Sequence, residues 1–309
     1  MKIEAYGKRF SSPLLKDALK IHSDIRKFMA DFLREEGFIE IPPVIISGVT
    51  DPLNHPTSKS QVEVNGFNYE LTKSMIFHKQ IILQSLDKIF SFSPNVRLEP
   101  VERKETGRHL IEFTQLDVEV KNATREDIMS LVEDLVLYTM QELLKANKNI
   151  LDRWKRDLIV PKKPFKRITY KEAYKKYGKH FELELSKATK EPFWLTDFPI
   201  EDREFYDRED PGRPGILLDM DLIYPEGFGE ASSGGEREHE LDQIYKRIAK
   251  KKQTPGQFKW YIEFGKTFGF VKSAGFGIGI ERFVRFTIGA KNIEDVTPFP
   301  KIPGEYCPL

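Results

Sequence analysis

Apolar residues recur at helical spacing near the start of the chain. Leu14, Leu15, Ala18, Ile21, Ile25, Phe28, Met29 and Phe32 fall on one stripe. Ser12-Pro13 supplies a helix start and Gly37 a stop. FIEIPPVII (38–46) reads as a strand interrupted by Pro42-Pro43, which places it at an edge or boundary. The polar stretch HPTSKSQVEVNG (55–66) reads as a loop, and helical spacing returns from Ser74 to Leu86. Alternation then predicts strands over 88–99 and 110–121, joined by a long charged connection. Thr124 with Asp127 resembles a capping box for a helix over 125–147. A Pro- and Lys-rich linker (148–166) follows, then a short helix (170–177), strands near 192–199 and 214–224, and a helix over 236–251. Thr254-Pro255 caps another helix, and a Gly-rich strand (271–279) enters a last one near Ile280. Strands come in adjacent runs, not in strict βαβ alternation. The expected fold class is therefore α+β, an antiparallel or mixed sheet flanked by helices.

Composition narrows this only slightly. The chain has 309 residues, 39% hydrophobic with 23 Phe, so a sizeable core is affordable. A net charge of +1 argues against a broad nucleic-acid-coating surface. Cys307 is the single cysteine, so no internal disulfide forms. With no signal-like N-terminus and no apolar run of membrane-span length, the expectation is a cytoplasmic protein without a membrane partner. There is no GxxxxGK[ST], and GFGIGIER has no βαβ unit around it, so neither a P-loop nor a dinucleotide fold is expected.

Three places concentrate chemistry. In RLEPVERKETGRHLIEFTQLDVEV (97–120), Arg97 and Glu99 share a strand face, as do Gln115 and Asp117. If the strands pair, one face carries all four, an arrangement that is costly without a ligand, although a solvated face would explain the same residues. In DMDLIYPEGFGEASSGGER (219–237), Asp219, Asp221 and Glu230 lie in and after a strand, followed by Ser232, Ser233, Gly234, Gly235 and Arg237. Carboxylates with a hydroxyl suit Mg²⁺, and the glycines admit close approach of a ligand; a Gly-rich turn beside a helix cap is the plain alternative. In GFGIGIER (275–282), a glycine-spaced strand delivers Glu281 and Arg282 at a helix start, where Arg282 could clamp a phosphate or make a surface ion pair.

In this order the three stretches resemble the catalytic core of the class II aminoacyl-tRNA synthetases, in the aspartyl/asparaginyl branch. EGFIEIPPVI resembles motif 1, VRLEPVERKETGRHLIEFTQLDVEV motif 2 and GFGIGIER motif 3. The resemblance covers nearly everything from about residue 15 to the end. It implies a six-stranded antiparallel sheet with helices, a homodimer, and ATP bent over the sheet with Mg²⁺. It gives Arg97 the bridge between substrate carboxylate and α-phosphate, and Arg282 the γ-phosphate. Glu99, Arg108, His109 and Leu110 then hold the nucleotide, Phe113 stacks on adenine, and Gly279, Ile280 and Glu281 complete the ATP site beside Glu230. Asp221, Glu230 and Ser233 become the metal and phosphate ligands.

Lys79, in LTKSMIFHKQ, falls where aspartyl enzymes place the lysine that meets aspartate's spare carboxylate, and Arg237 matches its arginine partner. Ser74, Gln115, Asp117 and Ser233 join them in the expected aspartate site. PEGFGE and NIEDVTPFPKIPG look instead like the asparaginyl branch. Two departures stand out. The catalytic pattern starts almost at Met1, leaving no room for an N-terminal OB-fold anticodon-binding domain, so the expectation is one catalytic domain over 1–309. The glutamine that touches the substrate amine in related sequences falls at Ile76, and SKSQVEVNG lacks the familiar glutamate loop. Both changes fit aspartate bound reversed, with its β-carboxylate presented to ATP. On that footing the chain resembles the archaeal-type asparagine synthetases related to these synthetases: aspartate, ATP and ammonia give asparagine, AMP and pyrophosphate, with tRNA not expected as a partner. The alternatives are a tRNA-charging core and a non-catalytic paralogue that binds aspartate or ATP.

Overall fold

The computed structural model describes residues 3–308. Helix α1 (Ile3–Phe10) precedes the amphipathic helix α2 (Pro13–Glu35). The strand expected at 38–46 splits in two, because neither proline can donate to a ladder. Its halves, β1 (Ile39–Glu40) and β2 (Ile46–Ser47), go to different sheets. The loop expected over 55–66 contains β3 (Gln61–Val64), which pairs with β4 (Phe67–Leu71). Asn65 and Gly66, at φ of 53° and 82°, make the two-residue turn. Asn-Gly between alternating runs is a hairpin signal in its own right.

Helix α3 (Ile76–Ile82) is shorter than expected. The strands β5 (Lys88–Val96) and β6 (Glu112–Lys121) and the helix α4 (Arg125–Ala146) fall where the pattern places them. The Thr124–Asp127 capping box is present in both directions. The stretch expected to be a linker holds α5 (Lys148–Arg153), and β7 (Lys166–Thr169) runs into α6 (Tyr170–Tyr177). Helix α7 (Phe181–Ala188) follows without any sequence forecast. Next come β8 (Phe193–Thr196) and β9 (Asp219–Tyr224). The Gly-rich segment that could have been a turn is β10 (Gly229–Glu236), so the next helix, α8 (Leu241–Lys250), begins five residues later than 236. Then come α9 (Lys259–Phe268), β11 (Ser273–Gly279) and α10 (Ile280–Ile288).

Among the described residues eight strands form the main sheet, in the order β1-β5-β6-β11-β10-β9-β8-β7. The six central strands run antiparallel; β1 and β7, at the two edges, pair parallel to their neighbours. A second sheet holds β2-β4-β3. Alternation sorts the main sheet into two faces. Leu116, Val118, Ala274, Phe276, Ile278, Met220 and Leu222 point into a core closed by α2, α4 and α10. Each large apolar side chain buried there contributes roughly 1.5–3 kcal/mol. The other face bears Gln115, Asp117 and Glu119, register-matched to Gly279, Gly277 and Gly275, while Gly277 pairs Ser233 and Ser233 pairs Asp221. It is flanked by an aromatic cluster around Phe77, Phe205 and Tyr261 and by a second cluster under α6 and α7. No helix of the described residues is long and apolar enough to cross a membrane.

The glycines of β11 have a steric cause. A Cβ at Gly275 would overlap the Glu119 carboxylate and the Val118 carbonyl oxygen, and one at Gly277 would overlap the Gln115 amide. Gly275→Ala is expected to cost roughly 1–3 kcal/mol of stability by overpacking, read from urea unfolding. A variant as stable as the parent would show that the strands are free to part.

Candidate functional site

A cavity of about 520 Å³ lies on the polar face of the sheet. Arg97, Glu99, Arg108, His109, Leu110, Phe113, Gln115, Asp117, Asp221, Glu230, Ser233, Arg237, Gly279, Glu281 and Arg282 all line it, together with Ser74 and Lys79 from the α3 region. Ile280 does not. It opens α10 straight after β11, which turns its side chain into the apolar core, where it is fully buried. Leu110 does both, packing in that core and bordering the cavity.

One end of the cavity is rich in guanidinium groups. Arg97 follows β5, donates from Nε to the Lys73 carbonyl at 3.1 Å and stands 5.2 Å over the Phe113 ring. Arg282 Nη1 lies 3.2 Å from Glu230 Oε1, and Arg108 pairs with Glu182 of α7. Burial alone would raise the Glu230 carboxyl, but Arg282 and Arg108 hold it below its ordinary value. Burial, then the charges of Arg282 and Arg108, push His109 down to about 2, so its imidazole stays neutral. Glu99 accepts from His55 Nε2 at 3.1 Å on both oxygens. Four arginines (97, 103, 108 and 282) meet three glutamates (99, 182 and 230) here. Clustered forks of this kind suit a polyanion such as a chain of phosphates.

The other end is dominated by carboxylates. Lys79 Nζ sits 3.0 Å from Asp117 Oδ1 and 3.5 Å from Glu119 Oε2. Arg237 bonds Glu119 at 2.9 and 3.2 Å and Asp207 at 3.3 Å. The two cations expected to await a substrate carboxylate thus already carry the protein's own acids, because neither charge would tolerate burial alone. Arg203 bridges Asp219 at 2.9 Å and Asp221 at 2.6 Å. Burial and the Glu230 charge push Asp221 upward despite Arg203, and its Oδ1 has no hydrogen-bond partner.

That free oxygen, with Glu230 and with Ser233 register-paired to Asp221, fits the donor set of a Mg²⁺ ion. No group of three His, Cys, Asp or Glu among the described residues could hold a metal alone, so phosphate oxygens would have to complete the shell.

Glu281 takes the Thr114 N–H on both oxygens at 3.0 Å, yet burial pushes its carboxyl up to about 7. Between its ordinary value and that one, the folded chain holds a proton that the unfolded chain has lost. This group therefore makes stability fall as pH rises through that window. Glu281→Gln is expected to show a smaller stability difference between about pH 5 and about pH 7.5 than the parent in urea unfolding. An unchanged difference would refute the assignment.

Sequence reasoning missed several lining residues. Glu119, which lies behind the lining and pairs with Lys79 and Arg237, was also within reach, since the alternation that pairs Gln115 with Asp117 runs on to it. Glu182 went with its unforecast helix, and His55 with a segment that looked like a plain loop. Arg203, Glu204 and Asp207 lie between β8 and β9, where no period marks them.

Comparison with known proteins matches this architecture. The family model for class II tRNA synthetases (D, K and N) matches residues 6–303. An asparagine–tRNA ligase from Pelotomaculum thermopropionicum is 30% identical over 96% of this chain and 71% of its own length. The structure of an asparaginyl-tRNA synthetase from Pyrococcus horikoshii, complexed with asparaginyl-adenylate, superposes with a TM-score of 0.87 at 28% identity, covering 96% of this chain and 71% of that one. An aspartyl-tRNA synthetase from Entamoeba histolytica gives a TM-score of 0.76 at 28% identity, over 94% and 59%. The central antiparallel strands, the three motifs and the matched span together assign the chain to the class II tRNA synthetase family (D, K and N).

Proposed function

We propose that this chain is an ATP-dependent ligase that adenylates aspartate on its β-carboxylate and passes the acyl group to ammonia. The reading is supported by one observation above all: Lys79 and Arg237 stand in the same cavity as the guanidinium cluster, but among fixed carboxylates. Mixed charge of this kind suits the zwitterionic head of an amino acid better than a lone side-chain carboxylate. The head would lie at the acidic end and the β-carboxylate would point toward Arg97.

In the first step a β-carboxylate oxygen bonds to the α-phosphorus as pyrophosphate leaves. Arg97 would hold both reactants, with Arg282 and His109 on the outer phosphates and Phe113 under the adenine. A Mg²⁺ held at Asp221, Glu230 and Ser233 would supply charge neutralisation on the phosphates. In the second step the nitrogen of ammonia bonds to the acyl carbon while the carbon–oxygen bond to AMP breaks, and a proton is released.

A second reading has its own support. The similar proteins named above are tRNA ligases, so the adenylate could instead be aspartyl or asparaginyl and pass to tRNA. Incubation with aspartate, ATP, Mg²⁺ and ammonium, assayed for asparagine and AMP, separates the two. Ammonium-dependent asparagine is the expected result. No asparagine, but charging of added tRNA, would transfer the assignment to the second reading.

A further inference from the structure

Helix α7 enters the site without belonging to any of the three motifs. It is fastened to the β9–β10 hairpin at two points one turn apart. Ser186 accepts the Gly229 N–H at 3.1 Å and donates to the Tyr224 carbonyl at 2.6 Å. Glu182, four residues earlier, accepts the Glu230 N–H at 3.3 Å on Oε1 and, on the same oxygen, Nη1 of Arg108. Gly229 leaves room for this crossing, since a Cβ there would overlap Arg108 Nη1 and crowd Glu182 Oε1. Both side chains line the cavity. The Arg108 guanidinium makes no other hydrogen bond among the described residues, so its remaining N–H groups stay available there. Its backbone carbonyl accepts Nε of Arg282 at 3.4 Å.

An arginine so placed has a choice of partners. After Glu182, the acids whose charge acts on Arg108 are Glu230 and Asp221, the carboxylates that suit Mg²⁺. Released from Glu182, the long side chain would swing to them. The phosphate end would then be one fork short, and the metal donors would be covered. We infer that Glu182 is a positioning residue: by holding one edge of Arg108 against β10, it leaves the other edge for the nucleotide and keeps Arg108 off Glu230. The inference rests on reading the guanidinium-rich end as the phosphate site. Charge alone predicts the reverse, because an acid beside a phosphate repels it and its removal would tighten binding. The two accounts therefore differ in sign.

Calorimetric titration of the full chain with ATP in Mg²⁺, without aspartate or ammonium, reads that sign. Glu182→Ala should bind ATP about tenfold more weakly than the parent, the loss expected when one charge-assisted contact is misplaced. It should melt close to the parent, since both partners of the pair are partly exposed. Glu182→Gln, which keeps an acceptor for Arg108, should fall between the two. In an Arg108→Met background, where Arg97 and Arg282 still face the nucleotide, Glu182→Ala should change the affinity by no more than about twofold, because the arginine through which it acts is gone. Unchanged or tighter ATP binding in Glu182→Ala overturns the role, as does an equal loss in both backgrounds. A parent that binds no ATP would instead remove the phosphate site itself, and none of these outcomes depends on whether asparagine is made.

Discussion

Arg97→Ala is expected to lower aspartate-dependent ATP–pyrophosphate exchange by about 100-fold or more, in the range seen when one fixed donor to a developing charge is lost. The fold should survive. Arg97 makes one hydrogen bond to the Lys73 carbonyl and stands over Phe113, and its charge acts on Glu99 and Glu230 only behind nearer partners, His55 for the first and Arg282 and Arg108 for the second. Losing both contacts costs roughly 1–2 kcal/mol, a shift of a few degrees in Tm for a chain of this size. Exchange close to the parent's rate would remove Arg97 from the chemistry, and a variant unfolded at ordinary temperature would make its role structural.

Lys79→Leu is expected to behave differently. Seen from the sequence, Lys79 is a substrate anchor whose loss weakens aspartate binding more than ATP binding. In the fold its ammonium also lies between Asp117 and Glu119, whose side chains are fully buried. Removing it strands an acid, a loss of roughly 3–5 kcal/mol in urea unfolding. Adding Asp117→Asn to Lys79→Leu should restore part of that stability, because an amide needs no counter-ion, without restoring aspartate affinity. A single variant as stable as the parent would mean that the acids find other partners or bind protons cheaply.

Much of this was legible in the chain because the physics is local. Period 3.6 marked α2, the Thr124–Asp127 capping box marked α4, period 2 marked β5 and β6, and fixed motif spacing brought 97, 237 and 282 to one cavity. The failures are just as physical. Gly229–Glu236 carries almost no side-chain signal, so a strand held by its neighbours on both sides passes for a turn. Pro42-Pro43 hides the fact that one apolar run serves two sheets. Arg203, Glu204 and Asp207 come from an irregular segment that only the tertiary fold carries to the cavity.

The bare strip of β11 has a consequence for how this protein can change. Its outward positions, Ala274, Phe276 and Ile278, face apolar neighbours that can repack around a different volume. Of its inward glycines, Gly277 touches the Gln115 side chain that lines the cavity and Gly275 touches the buried Glu119 that holds Lys79 and Arg237, so an added methyl shifts a binding group or the acid that fixes one. Robustness and selectivity are therefore tied together at 275 and 277, and a search for hardier variants should find its gains one residue to either side.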